Sequence, residues 1–100
     1  MHEHGIRIVV GTLGPFKGFE VTPGTPLGEW TAEKEASRTA VNTFLRASHE
    51  FDGVVDFDAV LRDPSNPAAL RAAFDSGDHI HPNDVGSQAM ANAIPLRLLL

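Results

Sequence analysis

The sequence contains no cysteine, which excludes a disulfide scaffold, a zinc–thiolate centre and a cysteine nucleophile, while leaving the redox compartment open. It has no basic cluster either. Thirteen acidic side chains stand against eight basic ones, for a net charge of −5, which argues against nucleic acid as a main partner. No apolar run approaches the roughly 20 residues that cross a bilayer. No secretory leader is legible, a point of little weight because the chain reads as beginning partway through a domain. Internal repeats, linkers and low-complexity segments are missing as well. What remains is 100 residues with 42% hydrophobic content, enough for one domain with a modest core.

The chain alternates apolar runs with helical patterns. Met1 to His4 read as the end of a helix stopped by Gly5. Ile6 to Val10 form a β-branched run suited to a strand buried on both faces of a parallel sheet. Gly11 to Thr31, with five glycines and three prolines, shows no period and is expected to be a loop. Its rings, Phe16, Phe19 and Trp30, would anchor it or line a groove. Thr31 caps a helix running to about Ala47, with Ala36, Ala40, Val41, Phe44 and Leu45 along one apolar face. Val54 to Phe57 form the second strand, so that strand, helix and strand make a βαβ unit. Asp56 and Asp58 at its end are expected to bond backbone amides or Arg62 rather than to form an acid–base pair. Asn66-Pro67 signals a short helix over Ala68 to Phe74, and a last helix runs from about Asn83 to Ile94 with Val85, Ala89, Met90, Ala93 and Ile94 on its apolar side.

Between these last two helices lies D-S-G-D-H-I-H-P-N-D-V-G, Asp75 to Gly86, the densest group of proton-moving side chains in the sequence. Asp78 and His81 are three residues apart, close enough for one turn of backbone to bring carboxylate and imidazole together. A carboxylate on Nδ1 fixes the ring tautomer and leaves Nε2 free as a base. Pro82 biases His81 toward extended backbone, and Asn83 can cap the helix that follows. His79 and His81 also form an H-x-H pair beside Asp78 and Asp84. That spacing suits a divalent metal, but a third ligand would have to come from elsewhere. Ser76, the nearest hydroxyl, is expected to make a local turn bond.

The Asp75–Gly86 segment resembles the last block of the SGNH, or GDSL-type, ester hydrolases. F-D-G-V-V-D-F-D from Phe51, L-R-D-P-S-N-P from Leu61, A-M-A-N-A-I from Ala89 and G-T-L-G-P-F from Gly11 extend the likeness over essentially the whole chain. The resemblance implies an α/β fold: the C-terminal βαβα portion of a three-layer α/β/α, flavodoxin-like domain, with parallel strands at about 6–10 and 54–57. It implies hydrolysis of a carbohydrate, lipid or other small-molecule ester through a serine acyl-enzyme. In that scheme His81 is the base, Asp78 orients it, and neither metal nor cofactor takes part. The family's Gly-Asp-Ser nucleophile motif and Gly-x-Asn-Asp segment do not occur, so residues 1–100 are expected to be one partial domain holding the base half of an active site. The competing reading is a non-catalytic fragment or interaction module, with self-association through an exposed sheet edge.

Overall fold

The computed structural model describes residues 5–20 and 28–99. The helix end read at Met1 to His4 lies outside them. Among these residues two small sheets and three helices make up the regular structure: β1 (Val9–Gly11), α1 (Ala32–Ala47), β2 (Gly53–Val55), α2 (Phe57–Leu61), β3 (Arg62–Asp63), β4 (Asn66–Leu70) and α3 (Asp84–Asn92), with 3₁₀ turns at Ala72–Phe74 and Leu96–Leu98. β1 and β2 pair in parallel, Val9 opposite Gly53 and Gly11 opposite Val55. The result is a mixed α/β chain with a two-stranded parallel sheet bridged by α1.

Both strands are shorter than the sequence suggests. Ile8 donates its N–H to the Asp52 carboxylate at 2.6 Å rather than to a neighbouring strand, so regular pairing begins at Val9. Phe57 is helical, because the Asp56 side chain accepts from the Ala59 N–H and caps α2 where the strand was expected to continue. The larger correction concerns Ala68 to Phe74, expected as a helix. Asn66–Leu70 is instead a strand, paired antiparallel with Arg62–Asp63 around a turn that Asp63 closes by accepting from both N–H and O–H of Ser65. The carbonyl of Ala68 accepts from Lys17 N–H and the N–H of Arg71 bonds the Leu61 carbonyl. These long-range partners outweigh the local Asn-Pro helix signal.

Helix α1 starts as expected, with Thr31 accepting from the Lys34 N–H and Glu33 and Glu35 in the first turn. Its orientation is the reverse of expectation. The inward side chains are Arg38 and Asn42, whereas Val41 and Phe44 are 43% and 58% exposed. The cause is the unpaired backbone just beyond β1. Asn42 accepts from the Leu13 N–H at 2.7 Å and donates to its carbonyl at 2.9 Å, and Arg38 donates to the same carbonyl. Buried backbone polar groups must be matched, and here an amide and a guanidinium do it. On α3, Val85 is likewise exposed rather than buried. Among the described residues the buried apolar side chains are Pro15, Val55, Leu61 and Leu70.

Candidate active site

The Asp75–Pro82 loop is held at its base by backbone bonds. Asp75 and Pro82 form a bridge, Ser76 N–H bonds the His81 carbonyl, and Asn83 N–H bonds the Phe74 carbonyl at 2.7 Å. Asn83 also caps α3 by accepting from Gly86 N–H, with Asp84 in the positive first turn, as the sequence implied. Gly86 is required by proximity: a Cβ there would lie 2.9 Å from both the Phe74 carbonyl oxygen and Pro82 Cβ. Gly77 is required by its φ of 115°, which side chains rarely tolerate.

Within this frame two aspartates organise two histidines in the same way. Oδ1 of Asp78 accepts from the N–H groups of Ile80 and His81, and its Oδ2 lies 2.5 Å from His81 Nδ1. Three residues upstream, Oδ1 of Asp75 accepts from Gly77 and His79 N–H, and its Oδ2 lies 2.6 Å from His79 Nδ1. The hydrogen bond from the His81 ring, with those from the His81 and Ile80 amides, holds Asp78 far below the usual carboxylate range. Partial burial pushes Asp75 up, but its bonds from Gly77 and His79 outweigh this and leave it below its ordinary value. An ionised Asp78 is an acceptor only, so in the neutral form of His81 the contact selects the tautomer with the proton on Nδ1 and the lone pair on Nε2. The His81 side chain is 74% exposed. Ser76 donates to Asp78 Oδ1 at 3.1 Å, the local turn bond expected of it.

The sequence did not disclose Asp75 as a partner for His79, which the single-pair reading left without one. The pairing depends on His79 adopting φ 69°, a left-handed conformation that no spacing rule announces for histidine. Among the described residues, no three His, Cys, Asp or Glu side chains converge as a metal site.

A polar network behind the loop fixes the C-terminal end of the parallel sheet. Thr12 Oγ1 donates to Asp56 and accepts from the Asp58 N–H. Asp58, 5% exposed, meets Arg38 at 2.6 Å, Arg46 at 2.8 Å and Arg62 at 3.1 Å. The hydrogen bond from Arg46 brings Asp56 down to about 2 from an ordinary 3.8, against the opposing effect of burial. Both aspartates therefore do the structural work the sequence assigned them, and Arg62 is one of the partners. Two further partners, Arg38 and Arg46, were missed. Their signal was the polar stripe Arg38, Asn42, Arg46 at four-residue spacing.

Beside the loop opens a cleft of about 810 Å³ with an apolar floor of Leu13, Phe16, Leu61, Ile80, Pro82 and Met90. Ile80 and Pro82 flank His81 and line the cleft, whereas His81 itself does not. Of the three loop rings, Phe16 lines this groove. Trp30 is anchored by its Nε1–H to Glu35, and Lys17 lies over its ring.

No curated protein matches the chain. The family model of the GDSL-like lipases/acylhydrolases matches residues 1–94, nearly the full sequence. The chain, with its Asp-x-x-His-Pro loop and parallel βαβ unit, belongs to the GDSL-like lipase/acylhydrolase family.

Proposed function

We propose that this chain carries the base half of a serine ester hydrolase, with His81 as general base and then acid, and Asp78 as the group that orients it. Family membership supports a hydrolase in general terms. The observation that carries the finer reading is the Asp78 Oδ2 contact to His81 Nδ1 at 2.5 Å, with the rest of the ring open to solvent. In the reaction Nε2 of His81 takes the proton of a serine hydroxyl as its oxygen attacks the ester carbonyl. The resulting imidazolium keeps its Nδ1–H on Asp78 and returns the other proton to the leaving alcohol. Water then repeats the sequence on the acyl-serine. The sequence holds no Gly-Asp-Ser, and in this reading the serine and the oxyanion donors are supplied from outside residues 1–100. The corresponding architecture is the C-terminal βαβα portion of a three-layer, flavodoxin-like domain. Substrates are small-molecule esters, with carbohydrate and lipid esters both within the class. Among the described residues no helix is long and apolar enough to cross a membrane.

The ring's tautomer tests this reading in the chain as it is. Nitrogen-15 NMR of His81 in its neutral form is expected to place the proton on Nδ1, leaving a pyridine-type signal at Nε2. A neutral ring protonated at Nε2 would remove the base from the proposal.

A further inference from the structure

The backbone bonds at the base of the Asp75–Pro82 loop join it to itself and to the residues flanking it. Its tip reaches a distant segment through His79. A Cβ placed at Gly18 would lie 3.2 Å from His79 Cδ2 and 3.3 Å from Cγ, so the ring rests against the bare backbone of that glycine. Gly18 belongs to a turn that is fastened on several sides. Phe19 N–H bonds the Phe16 carbonyl, Lys17 N–H bonds Ala68 of β4, and the Phe19 carbonyl accepts from Trp30 N–H. Upstream, Thr12 N–H bonds Val55 at the end of β2. The His79 ring thus ties the loop tip to the frame of the parallel sheet.

The backbone of His79 matters as much as its ring. Asp78 Oδ1 gathers the N–H groups of Ile80 and His81, two and three residues ahead. His79 is the first residue inside that turn, and its φ of 69° bends the chain so that both N–H groups face the carboxylate. A histidine keeps that conformation where its surroundings hold it there. Asp75 does so with three bonds, from Gly77 N–H at 2.8 Å, His79 N–H at 3.0 Å and His79 Nδ1 at 2.6 Å. The Asp75 side chain is 13% exposed against 42% for Asp78. The upstream carboxylate is the fixed post, and the downstream one is steadied by it.

On the reading of His81 as the base, we propose that Asp75 and His79 are its positioning residues. Asp75 holds residue 79 in the left-handed turn that presents two amides to Asp78, and the His79 ring, seated on Gly18, fixes that turn to the sheet. The second Asp–His pair then works by geometry, and His81 alone moves protons. A base that must meet a serine supplied from elsewhere needs its place set to within about 0.5 Å, which an exposed loop achieves only when its supports are rigid.

Nitrogen-15 NMR of the neutral His81 ring tests this in the chain as it is. Free histidine favours the Nε2–H tautomer, so the Nδ1–H form reports how well Asp78 is held. His79→Val disfavours a left-handed backbone and Asp75→Ala removes the bonds that hold it. Each is expected to shift the tautomer ratio at least about tenfold toward Nε2–H. His79→Gly and His79→Asn accept that backbone and should stay within about threefold of the native ratio, a distinction that general loosening would not produce. The native chain should also show a nuclear Overhauser contact between the His79 ring and the Gly18 α-protons. The Leu13 amide, bonded to Asn42, monitors folding. Should Asp75→Ala disturb it, His79→Val decides, since the His79 side chain is 52% exposed. A native ring protonated at Nε2 would remove the base and its positioning pair together. A native Nδ1–H ring that His79→Val and Asp75→Ala leave unchanged would overturn the positioning role alone. So would His79→Gly and His79→Asn falling with His79→Val, or a missing His79–Gly18 contact.

Discussion

At the scale of the residue, one loop builds the same device twice. Asp75 and Asp78 each use Oδ1 to gather backbone N–H groups and Oδ2 to hold a histidine Nδ1. Only the Asp78–His81 pair was legible in the sequence, because a three-residue separation closes with ordinary backbone angles. The four-residue Asp75–His79 pair needs a left-handed histidine, a conformation costing about 1–2 kcal/mol that nothing local advertises. The buried aspartate behind the loop gives the sharpest mutational expectation. Asp58 answers Arg38, whose side chain is only 3% exposed. Asp58→Ala takes one of two carboxylates from that guanidinium, leaving it Glu35 and the Leu13 and Pro67 carbonyls, and should destabilise the chain by about 3–5 kcal/mol, measured by urea unfolding. A loss below 1 kcal/mol would mean that the network contributes little beyond local order.

At the scale of the element, periodicity located α1 to within a residue but assigned its inward face wrongly. The apolar stripe Ala36, Ala40, Val41 and Phe44 points outward because Arg38 and Asn42 answer the stranded backbone of Leu13. Pattern rules rank faces by hydrophobicity and do not register an unsatisfied peptide group on a distant loop. The same blindness explains β4, where Asn66-Pro67 is a sound local helix start overruled by Lys17 and Leu61. Asp56, just past β2, pairs with Arg46 of α1 and makes the stability acid-dependent. Asp56 titrates at about 2 when folded against 3.8 ordinarily, so its stabilisation is complete above pH about 4 and is lost as the pH falls toward 2. Circular dichroism through that window should record a falling melting temperature, and Asp56→Asn should flatten the slope. An unchanged slope in that variant would assign the acid sensitivity to other carboxylates.

At the scale of the whole molecule, a mixed α/β chain is built with little interior. Among the described residues Pro15, Val55, Leu61 and Leu70 are the buried apolar ones, and the parallel sheet there has two strands where three or more are usual for independent stability. Polar links such as Asn42–Leu13 and Arg38–Asp58 hold together what apolar burial alone would not. If His81 is the base, as proposed, and the nucleophile is supplied from outside residues 1–100, the central claim is directly measurable. The rate to measure is hydrolysis of a p-nitrophenyl acyl ester by this chain joined behind a Gly-Asp-Ser-bearing N-terminal half of the family. The isolated chain should show only background turnover, and the joined protein should be active. His81→Ala should then lower kcat by at least about 10³-fold, whereas His79→Ala should lower it by less than about tenfold. A joined protein that keeps most of its rate without His81, or loses it equally without His79, would contradict the account.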